Sequence, residues 1–280
     1  MAKKLIVTGT STGIGRAIAL RALNASWDVL ATVRKDADRA GLEEAGAQTA
    51  LLDICDEGSI DAFTKEAAEF CDNKLDALVN NAGTAYPGPV EALDLDEIRV
   101  QFEVNCFGHI AVTQQLLPAL REAHGRVIFV SSNSVNMPTP FLGAYVASKR
   151  ALEGFAESLA FEVGSHDIDV TLLVPGAFDT GIWDTSIPRG ESHEHPGSLY
   201  AAQAKRAKAI ARSQPMGDPD DVADAALELL ESRRPPMRRT VPFAAAAQGS
   251  LYKVLPFGAY KAVVQRVAGL MARRSGSGSA

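Results

Sequence analysis

The sequence predicts an α/β fold, a doubly wound parallel sheet in a single domain. Short apolar segments alternate along the chain with longer helical patterns, and this alternation is typical of right-handed βαβ units. Most of the apolar segments are continuous runs, which is typical of strands that are covered on both faces. A length of 280 residues and a hydrophobic content of 46% suffice for one large core without disulfides or a structural metal.

The predicted elements follow one another in regular order up to residue 174. Runs of apolar residues predict strands at 4–8, 28–33, 48–52, 77–80, 126–131 and 169–174. Helical patterns predict helices at 15–24, 59–71, 95–123 and 144–164. Pro118 falls inside the third helix, where it is expected to kink or break it.

The chain loses this regularity after residue 174. Residues 181–215 are rich in Pro, Gly, Ser and His, which predicts an irregular lid with one helical stretch near 199–213. A further helix begins at 218–220 and ends at Ser232. We therefore divide the chain into a main domain at 1–232, a basic extension at 233–274 that packs on this domain, and a flexible tail at 275–280.

The charge of the chain argues against one class of partner and leaves another open. With 28 basic and 34 acidic residues the net charge is −6, which argues against nucleic-acid binding. Residues 232–280, however, contain nine basic residues and no acidic one. A basic segment of this kind can bind an anionic membrane surface or an acidic partner through electrostatic attraction. Packing on the domain itself or on a second subunit is the favoured interpretation, because the segment also contains apolar residues.

Neither a metal site nor a disulfide framework is predicted. Cys55, Cys71 and Cys106 are widely spaced and form no C-x-x-C pair. His193 and His195 resemble part of a metal site, but no third ligand follows at a suitable spacing. There is no recognisable signal peptide and no apolar run long enough to cross a bilayer, so the predicted location is the cytoplasm.

A glycine-rich turn joins the first predicted strand to the first helix. Gly9, Gly13 and Gly15 are spaced as G-x-x-x-G-x-G. Such a turn lets backbone N–H groups approach a pyrophosphate at the positive N-terminus of the following helix. Because strand, turn and helix occur in this order, the sequence predicts a Rossmann-like dinucleotide site. The turn also includes Ser11, Thr12 and Ile14.

The residues that follow the second and third strands indicate which dinucleotide binds. Arg34 and Lys35 occupy the position where an NAD(H) site requires a carboxylate. A guanidinium can pair with a 2′-phosphate, so NADP(H) is favoured over NAD(H), unless both cations merely solvate a loop. Asp53, which is followed by Ile54, either reads the adenine amino group or caps the next helix.

Three further residues have the chemistry of a redox site. Tyr145 and Lys149 are four residues apart and therefore share one helix face, and they follow a strand that ends in a pair of serines. A nearby ammonium and a positive nicotinamide ring favour the tyrosinate. A tyrosine tuned in this way can exchange a proton with an alcohol or carbonyl oxygen during hydride transfer, while a serine hydroxyl holds that oxygen.

These motifs, in this order, resemble the short-chain dehydrogenase/reductase family from about residue 4 to residue 232. The resemblance implies that Tyr145 is the catalytic acid/base and that Lys149 holds the nicotinamide ribose and lowers the tyrosine pKa. It implies that Ser132 polarises the substrate oxygen and that Asn105 fixes a water in a proton relay. The remaining cofactor contacts that it implies are Asn81, Ala82, Gly83, Pro175, Gly176, Phe178 and Thr180.

The resemblance narrows to the branch that contains 17β-hydroxysteroid and retinol dehydrogenases, because of residues 31–34 and 145–154. One departure is the absence of the family's frequent glycine from residues 132–136, which affects the floor of the pocket. The candidates for an apolar substrate wall are Phe141, Phe178, Ile182 and Trp183. Core packing explains Phe141 and Phe178 equally well.

The resemblance implies NADP(H)-dependent interconversion of a secondary alcohol and a ketone, or of an alcohol and an aldehyde, on a lipophilic substrate. It also implies a homodimer or a homotetramer. Two alternatives remain at this stage. One is a non-catalytic NADP(H)-sensing protein on the same fold, and the other is an interaction protein that the basic segment at 232–280 directs to a membrane surface.

Overall fold

The computed structural model of the protein describes residues 2–178, 197–213, 216–242, 245 and 255–270. The strands in these residues are β1 (Lys4–Val7), β2 (Asp28–Val33), β3 (Gln48–Leu51), β4 (Ala77–Asn80), β5 (Arg126–Val130), β6 (Asp169–Pro175) and β7 (Arg238–Val241). They form one parallel sheet in the order β3-β2-β1-β4-β5-β6-β7. The order reverses between β1 and β4, and the predicted doubly wound, Rossmann-like domain is thereby confirmed.

Helices cover both faces of this sheet. The helices in the described residues are α1 (Gly13–Asn24), α2 (Ala40–Glu43), α3 (Glu57–Cys71), α4 (Leu95–Phe102), α5 (Gly108–Ala123), α6 (Gly143–Val163), α7 (Ala201–Ser213), α8 (Pro219–Glu231) and α9 (Phe257–Ala268). Three of them begin at an aspartate whose side chain accepts a hydrogen bond from a backbone N–H of the first turn, which stabilises the helix start. These aspartates are Asp56, Asp94 and Asp218.

The core consists of two clusters, one on each face of the sheet. Neighbouring residues of one strand belong to opposite clusters, because side chains alternate along a strand. In β5, Phe129 packs into one cluster, whereas Ile128 and Val130 pack into the other. Both sets are buried, which explains why the strands appear in the sequence as continuous apolar runs.

The helix predicted at 95–123 is divided, but not at the proline. A π-helical turn at Glu103–Phe107 separates α4 from α5, and Pro118 lies inside α5. The proline is tolerated because both Pro118 and Gln114, whose carbonyl loses its partner, are on the exposed face of α5. The prediction of a break at Pro118 was therefore wrong, and a kink there stays a prediction. The interruption occurs where Gly108 packs against Ile54, since a Cβ at Gly108 would lie 2.4 Å from the Ile54 carbonyl oxygen.

The C-terminal part of the chain adds to the same sheet. β7 pairs with β6 at the sheet edge, with Arg238 opposite Leu172. The hydroxyl of Tyr260 in α9 donates a hydrogen bond of 2.9 Å to the Pro138 carbonyl, which ties α9 to the loop after β5. Of the predicted lid at 181–215, only residues 197–213 are described, and α7 lies within the helical stretch predicted there.

The described residues bear on two kinds of partner, a membrane and a metal ion. None of the helices there has the length and apolar character needed to cross a bilayer. Within the same residues, no three His, Cys, Asp or Glu side chains are grouped so that they could hold a metal ion. His193 and His195 lie outside the described residues.

Candidate active site

The predicted site residues that the structure describes gather at the carboxyl end of the parallel sheet. The loops that follow β1 and β4 meet there, at the point where the strand order reverses. Ligands of open α/β sheets bind in the crevice at such a point, because adjacent loops diverge to opposite faces.

The turn after β1 requires glycine for two separate reasons. Gly9 and Gly13 have φ values of +68° and +60°, in the left-handed region that favours glycine. Gly15 has no space for a side chain, since a Cβ there would lie 2.2 Å from Nδ2 of Asn81 and 2.4 Å from the Gly9 carbonyl oxygen. The predicted turn glycines therefore permit a close approach between backbone segments.

The loop after β4 holds this turn in place. Nδ2 of Asn81 donates hydrogen bonds of 2.9 Å to the carbonyls of Thr8 and Gly9. In return, the Thr8 hydroxyl accepts from the backbone N–H groups of Asn81 at 2.9 Å and Ala82 at 3.1 Å. Thr8 is a site residue that the sequence reasoning missed, and its place at the end of the first strand was the available signal.

The first turn of α1 suits an anion. Its N-cap, Thr12, makes no side-chain capping hydrogen bond, and no acidic residue lies in the first turn. The N–H groups at this end consequently have no side-chain partner of that kind, and the helix dipole favours negative charge. The turn residues therefore fit the pyrophosphate of a dinucleotide.

The end of β2 carries the two predicted cations. Arg34 and Lys35 are exposed, and neither forms an ion pair within the described part of the chain. The neighbouring Arg39 differs, because its Nε lies 3.0 Å from a carboxylate oxygen of Asp36. The guanidinium of Arg34 is thus available to an added phosphate.

Asp53 does not cap the helix that follows it. The cap of α3 is Asp56, whose carboxylate accepts from the Ser59 backbone N–H at 2.6 Å. Asp53 accepts instead from the backbone N–H of Cys55 at 3.0 Å. The capping alternative for Asp53 was wrong, and its contact with adenine stays a prediction. The adjacent Ile54 is buried and contributes its side chain to the core.

Tyr145, Lys149 and Ser132 come together beside the end of β5. The Lys149 Nζ donates a hydrogen bond of 2.9 Å to the Val130 carbonyl. The Tyr145 phenol lies close enough to the Ser132 side chain for Ser132 to lower the pKa of the phenol. The Ser132 hydroxyl is also 2.6 Å from the Ser134 hydroxyl. The geometry thus brings together the three side chains that the sequence associated with redox chemistry.

Burial acts in opposite directions on the two ionisable groups of α6. It raises the pKa of the Tyr145 phenol, and the nearby Ser132 side chain partly offsets this increase. It lowers the pKa of the Lys149 ammonium from 10.5 to about 8, although Cys106, when ionised, and Glu153 oppose the decrease. In the protein alone, therefore, the phenol is neutral at pH 7 and the amine is mostly protonated.

Asn105 lies in the π-helical turn and faces the neighbouring loop. Its Nδ2 donates to the Thr84 carbonyl at 2.9 Å and to the Ser148 hydroxyl at 3.0 Å. Its Oδ1 accepts from the Thr84 backbone N–H at 2.9 Å. Both amide protons are thus used within the protein. Adjacent Gly83 is exposed, and a Cβ there would lie 3.8 Å from the Lys149 Nζ.

A buried histidine supports the loop after β4. His109 is fully buried and its Nε2 lies 2.8 Å from the Ala82 carbonyl oxygen, so this nitrogen carries the proton. Burial, followed by the charge of Lys149, lowers the pKa of His109 to about 3. The sequence reasoning missed His109. A histidine four residues after Asn105 on a helix was the available signal.

The residues at the end of β6 are only partly described. Pro175 ends the strand, and the Gly176 N–H donates at 2.7 Å to the Val241 carbonyl. Phe178 is buried in the core, which leaves its backbone rather than its side chain for a ligand. Phe141 is half-buried and makes an edge contact with the Tyr200 ring, which favours a wall over the core. The predicted residues outside the described parts are Thr180, Ile182 and Trp183.

The doubly wound sheet and the glycine turn define a nucleotide-binding α/β protein, and the phenol–ammonium pair indicates oxidoreductase chemistry. Residues 3–189 match the family described as short chain dehydrogenase, and the chain belongs to this family. The chain is 39% identical over 241 residues to the uncharacterized oxidoreductase YusZ of Bacillus subtilis (strain 168), with 82% of this chain and 85% of that protein covered.

Two further relatives have names that state a substrate. The chain is 34% identical over 248 residues to the NADPH-dependent 3-dehydrocapnine reductase of Ornithobacterium rhinotracheale, with 84% of this chain and 87% of that protein covered. It is 30% identical over 258 residues to retinol dehydrogenase 8 of Homo sapiens, with 85% of this chain and 80% of that protein covered. The predicted resemblance to the family, with retinol dehydrogenases among the relatives, is confirmed.

The solved structures agree with the fold. A short-chain dehydrogenase from Streptomyces avermitilis superposes with a TM-score of 0.78 and 29% sequence identity, and the match covers 96% of this chain and 97% of that one. The protein is therefore a short-chain oxidoreductase that binds a nicotinamide cofactor and acts on CH–OH groups.

Proposed function

We propose that the protein uses NADP(H) to interconvert a secondary alcohol and a ketone, or an alcohol and an aldehyde, on a lipophilic substrate. Tyr145 is the acid/base in this proposal. The observation that carries it is the convergence of Tyr145, Ser132 and Lys149 at the end of β5. The oxidoreductase relatives support the same reaction class.

The bound cofactor supplies the hydride or accepts it. During reduction, the Ser132 hydroxyl holds the substrate oxygen and the Tyr145 phenol donates a proton to it. During oxidation, Tyr145 accepts the proton instead. Lys149 binds the nicotinamide ribose, and its ammonium favours the tyrosinate electrostatically. Because the side-chain amide of Asn105 is engaged with Thr84 and Ser148, Asn105 holds the relay water through its backbone.

The preference for NADP(H) is supported by the end of β2. No carboxylate stands directly after this strand to accept from a ribose 2′-OH, and Arg34 and Lys35 are exposed there. The planar guanidinium of Arg34 can donate two parallel hydrogen bonds to the oxygens of a phosphate. The relative from Ornithobacterium rhinotracheale is NADPH-dependent by name.

A lipophilic substrate is supported by aromatic contacts to the loop between Ser132 and Tyr145. The rings of Phe141 and Tyr200 meet edge to face with centroids 6.2 Å apart. The Tyr260 hydroxyl is bonded to Pro138 on the same loop. Apolar pocket walls with few polar groups are typical of sites for lipophilic ligands. Retinol dehydrogenase 8 is a relative named for such a substrate.

The proposed assembly is a homodimer or a homotetramer. Helices α4 and α6 and the π-helical turn expose large apolar side chains, a feature of surfaces that meet a partner. These side chains are Leu95, Phe107, Phe155 and Phe161, of which Phe161 is 88% exposed. Sedimentation velocity tests this assembly, and a single monomeric species at micromolar concentration would refute it. A cytoplasmic location stays a prediction.

The decisive experiment for the reaction is Tyr145→Phe. NADPH oxidation is measured against a panel of ketones and aldehydes. The kcat of the variant is expected to fall by about 10²–10⁴-fold because the proton donor is absent. NADPH affinity, measured by fluorescence titration, should stay near the wild-type value. Turnover retained in the variant would refute the role of Tyr145. NADPH binding by the wild type without turnover of any panel member would favour the sensing alternative.

A further inference from the structure

One face of α6 carries three polar side chains at intervals of four residues, and all three face the end of β5. Tyr145 lies beside Ser132, Lys149 donates a hydrogen bond to the carbonyl of Val130, and Glu153 accepts a hydrogen bond of 2.6 Å from the Ser131 hydroxyl. Residues i, i+4 and i+8 of a helix lie on one face, so this face contacts three consecutive residues of the chain at 130–132. The mechanism above uses the first two side chains but not Glu153.

Glu153 is only 8% exposed, and its carboxylate is fully paired. Its Oε1 accepts from Nη1 of Arg238 at 3.0 Å, and its Oε2 accepts from Nη2 of the same guanidinium. Arg238 opens β7, so this pair joins two elements that are 85 residues apart in sequence. A buried charge of this kind is costly unless it is paired and hydrogen-bonded, and removing one partner leaves the other uncompensated.

The carboxylate also acts on the neighbouring ammonium. The titratable groups that face Lys149 are Tyr145 and Glu153 on α6, Cys106 in the π-helical turn and His109 on α5. His109 is neutral near pH 7 because burial lowers its pKa to about 3. Burial raises the pKa of the Cys106 thiol, so it too is neutral at pH 7. Glu153 is thus the carboxylate whose negative charge opposes the effect of burial on Lys149.

We propose that Glu153, held by Arg238, is a positioning residue for the oxidoreductase reaction. It fixes Ser131, and through the backbone Ser132, against α6, and it keeps the neighbouring ammonium of Lys149 protonated. This inference rests on the function proposed above. It assigns to β7 a part in catalysis that no motif of the sequence indicates.

The primary test is Glu153→Gln, which keeps an acceptor for Ser131 and removes the charge. We expect kcat to fall by about 10-fold, since the charge-assisted hydrogen bonds that Glu153 accepts are lost or weakened. We also expect the alkaline limb of the pH profile of kcat/KM to move to lower pH by about half a pH unit or more. The reason is that the negative charge of Glu153, which stabilises the Lys149 ammonium, is lost. The matched control is Glu157→Gln, one turn further along α6, where the exposed carboxylate is 4.0 Å from Arg238. This control should leave both readouts unchanged.

Ser131→Ala separates the two parts of the proposal. It removes the hydrogen bond and keeps the charge, so kcat should fall while the alkaline limb stays in place. If Glu153→Gln does not fold, the double variant Glu153→Met/Arg238→Met replaces the pair by apolar side chains, which proteins often tolerate. The double variant is expected to show both the lower kcat and the shifted limb.

A readout that is independent of turnover distinguishes failure of this inference from failure of the proposed function. The Lys149 side chain is titrated by NMR of its ¹³Cε in the wild type and in the folded variant that lacks the carboxylate. A lower pKa in the variant supports the inference, even if no substrate is turned over and the proposed function fails. The inference is overturned if Lys149 titrates in the variant as it does in the wild type. It is also overturned if the variant is active and keeps the wild-type kcat and pH profile.

Discussion

The Lys149 ammonium donates a hydrogen bond of 2.9 Å to the Val130 carbonyl at the end of β5. Lys149 is only 3% exposed, so this bond and the nearby carboxylate of Glu153 replace the water that a lysine normally has. The side chain proposed to bind the cofactor ribose is therefore already oriented by the protein. This preorganisation has a cost in stability, because the buried ammonium loses its hydration.

Lys149→Met should stabilise the protein at neutral pH. The folded-state pKa of about 8 lies below the unfolded value of about 10.4. Below pH 8 both states are protonated, and the folded state carries the full cost of the buried charge. That cost is about 3 kcal/mol from the pKa difference, and losing the bond to Val130 offsets about 1 kcal/mol of the gain. The variant is expected to be inactive.

The pH dependence identifies the cause of this stabilisation. Between about pH 8 and 10.4 the folded wild type loses the Lys149 proton first, so its stability rises with pH and the advantage of the variant disappears. Urea unfolding at pH 7 and pH 10 measures the difference. Exposed Lys65→Met is the control and should show no such trend. An advantage of Lys149→Met that is equal at both pH values would contradict the prediction.

His109→Gln should reduce the acid sensitivity of the protein. The folded-state pKa of His109 is about 3, so between about pH 6.5 and 3 the unfolded state takes up a proton that the folded state excludes. Stability therefore falls with decreasing pH, by about 3 kcal/mol from pH 7 to pH 4 for this residue. Gln is neutral throughout, and its amide can donate to the Ala82 carbonyl.

The measurement is denaturant unfolding at pH 7 and pH 4. The wild type should lose more free energy of unfolding over this interval than His109→Gln does. His166→Gln, on the surface after α6, is the matched control and should keep the wild-type slope. Parallel slopes for the wild type and His109→Gln would show that this histidine does not drive acid unfolding.

Two Gly→Ala substitutions on helices should have opposite effects. At Gly15 the new Cβ would lie 2.2 Å from Asn81 Nδ2 and 2.4 Å from a backbone oxygen, so the turn must shift. We expect a loss of about 1–3 kcal/mol in stability and about 10-fold weaker NADPH binding. At Gly154, in α6, nothing lies within 4 Å of the new Cβ, and alanine should stabilise by about 0.5–1 kcal/mol. Thermal unfolding measures the stability of both variants, and NADPH titration measures their cofactor affinity. Normal cofactor binding by Gly15→Ala would argue against the turn as the pyrophosphate site.

Arg34→Asp should shift the cofactor preference toward NADH. A carboxylate repels a 2′-phosphate and can accept from a ribose 2′-OH, so the ratio of kcat/KM for NADPH over NADH should fall by at least about 10-fold. Arg233→Asp makes the same charge change between α8 and β7, near the opposite edge of the sheet. It should leave the ratio unaltered. A constant ratio in both variants would refute the assignment of Arg34 to the 2′-phosphate.

Much of the fold follows from the local sequence, because the spacing of the apolar residues shows which face of each helix or strand is buried. β5 and β6 are apolar runs, and they are covered on both faces in the structure. The turn with Gly9 and Gly13 is predictable because left-handed backbone favours glycine. Tyr145 and Lys149 share a face because a helix has a fixed period.

Contacts between distant parts of the chain were beyond local reasoning. The interruption at Glu103–Phe107 lies next to the close contact of Gly108 with Ile54, a contact between distant residues, and Pro118 alone indicated a break at the wrong position. The cap of α3 depends on which aspartate reaches the free N–H groups, and this is Asp56. Such outcomes are decided by packing geometry rather than by residue type.

The sequence by itself determined the order of elements, the glycine turn and the residue types of the redox site. Only the tertiary structure decided that Glu153 on α6 meets Arg238 on β7, and that His109 supports Ala82. The physical reason is that the periodic spacing of apolar residues indicates only which residues are buried, and burial is a property of each residue by itself. A hydrogen bond or an ion pair between distant residues depends on the relative placement of two elements, and that placement exists only once the sheet has assembled.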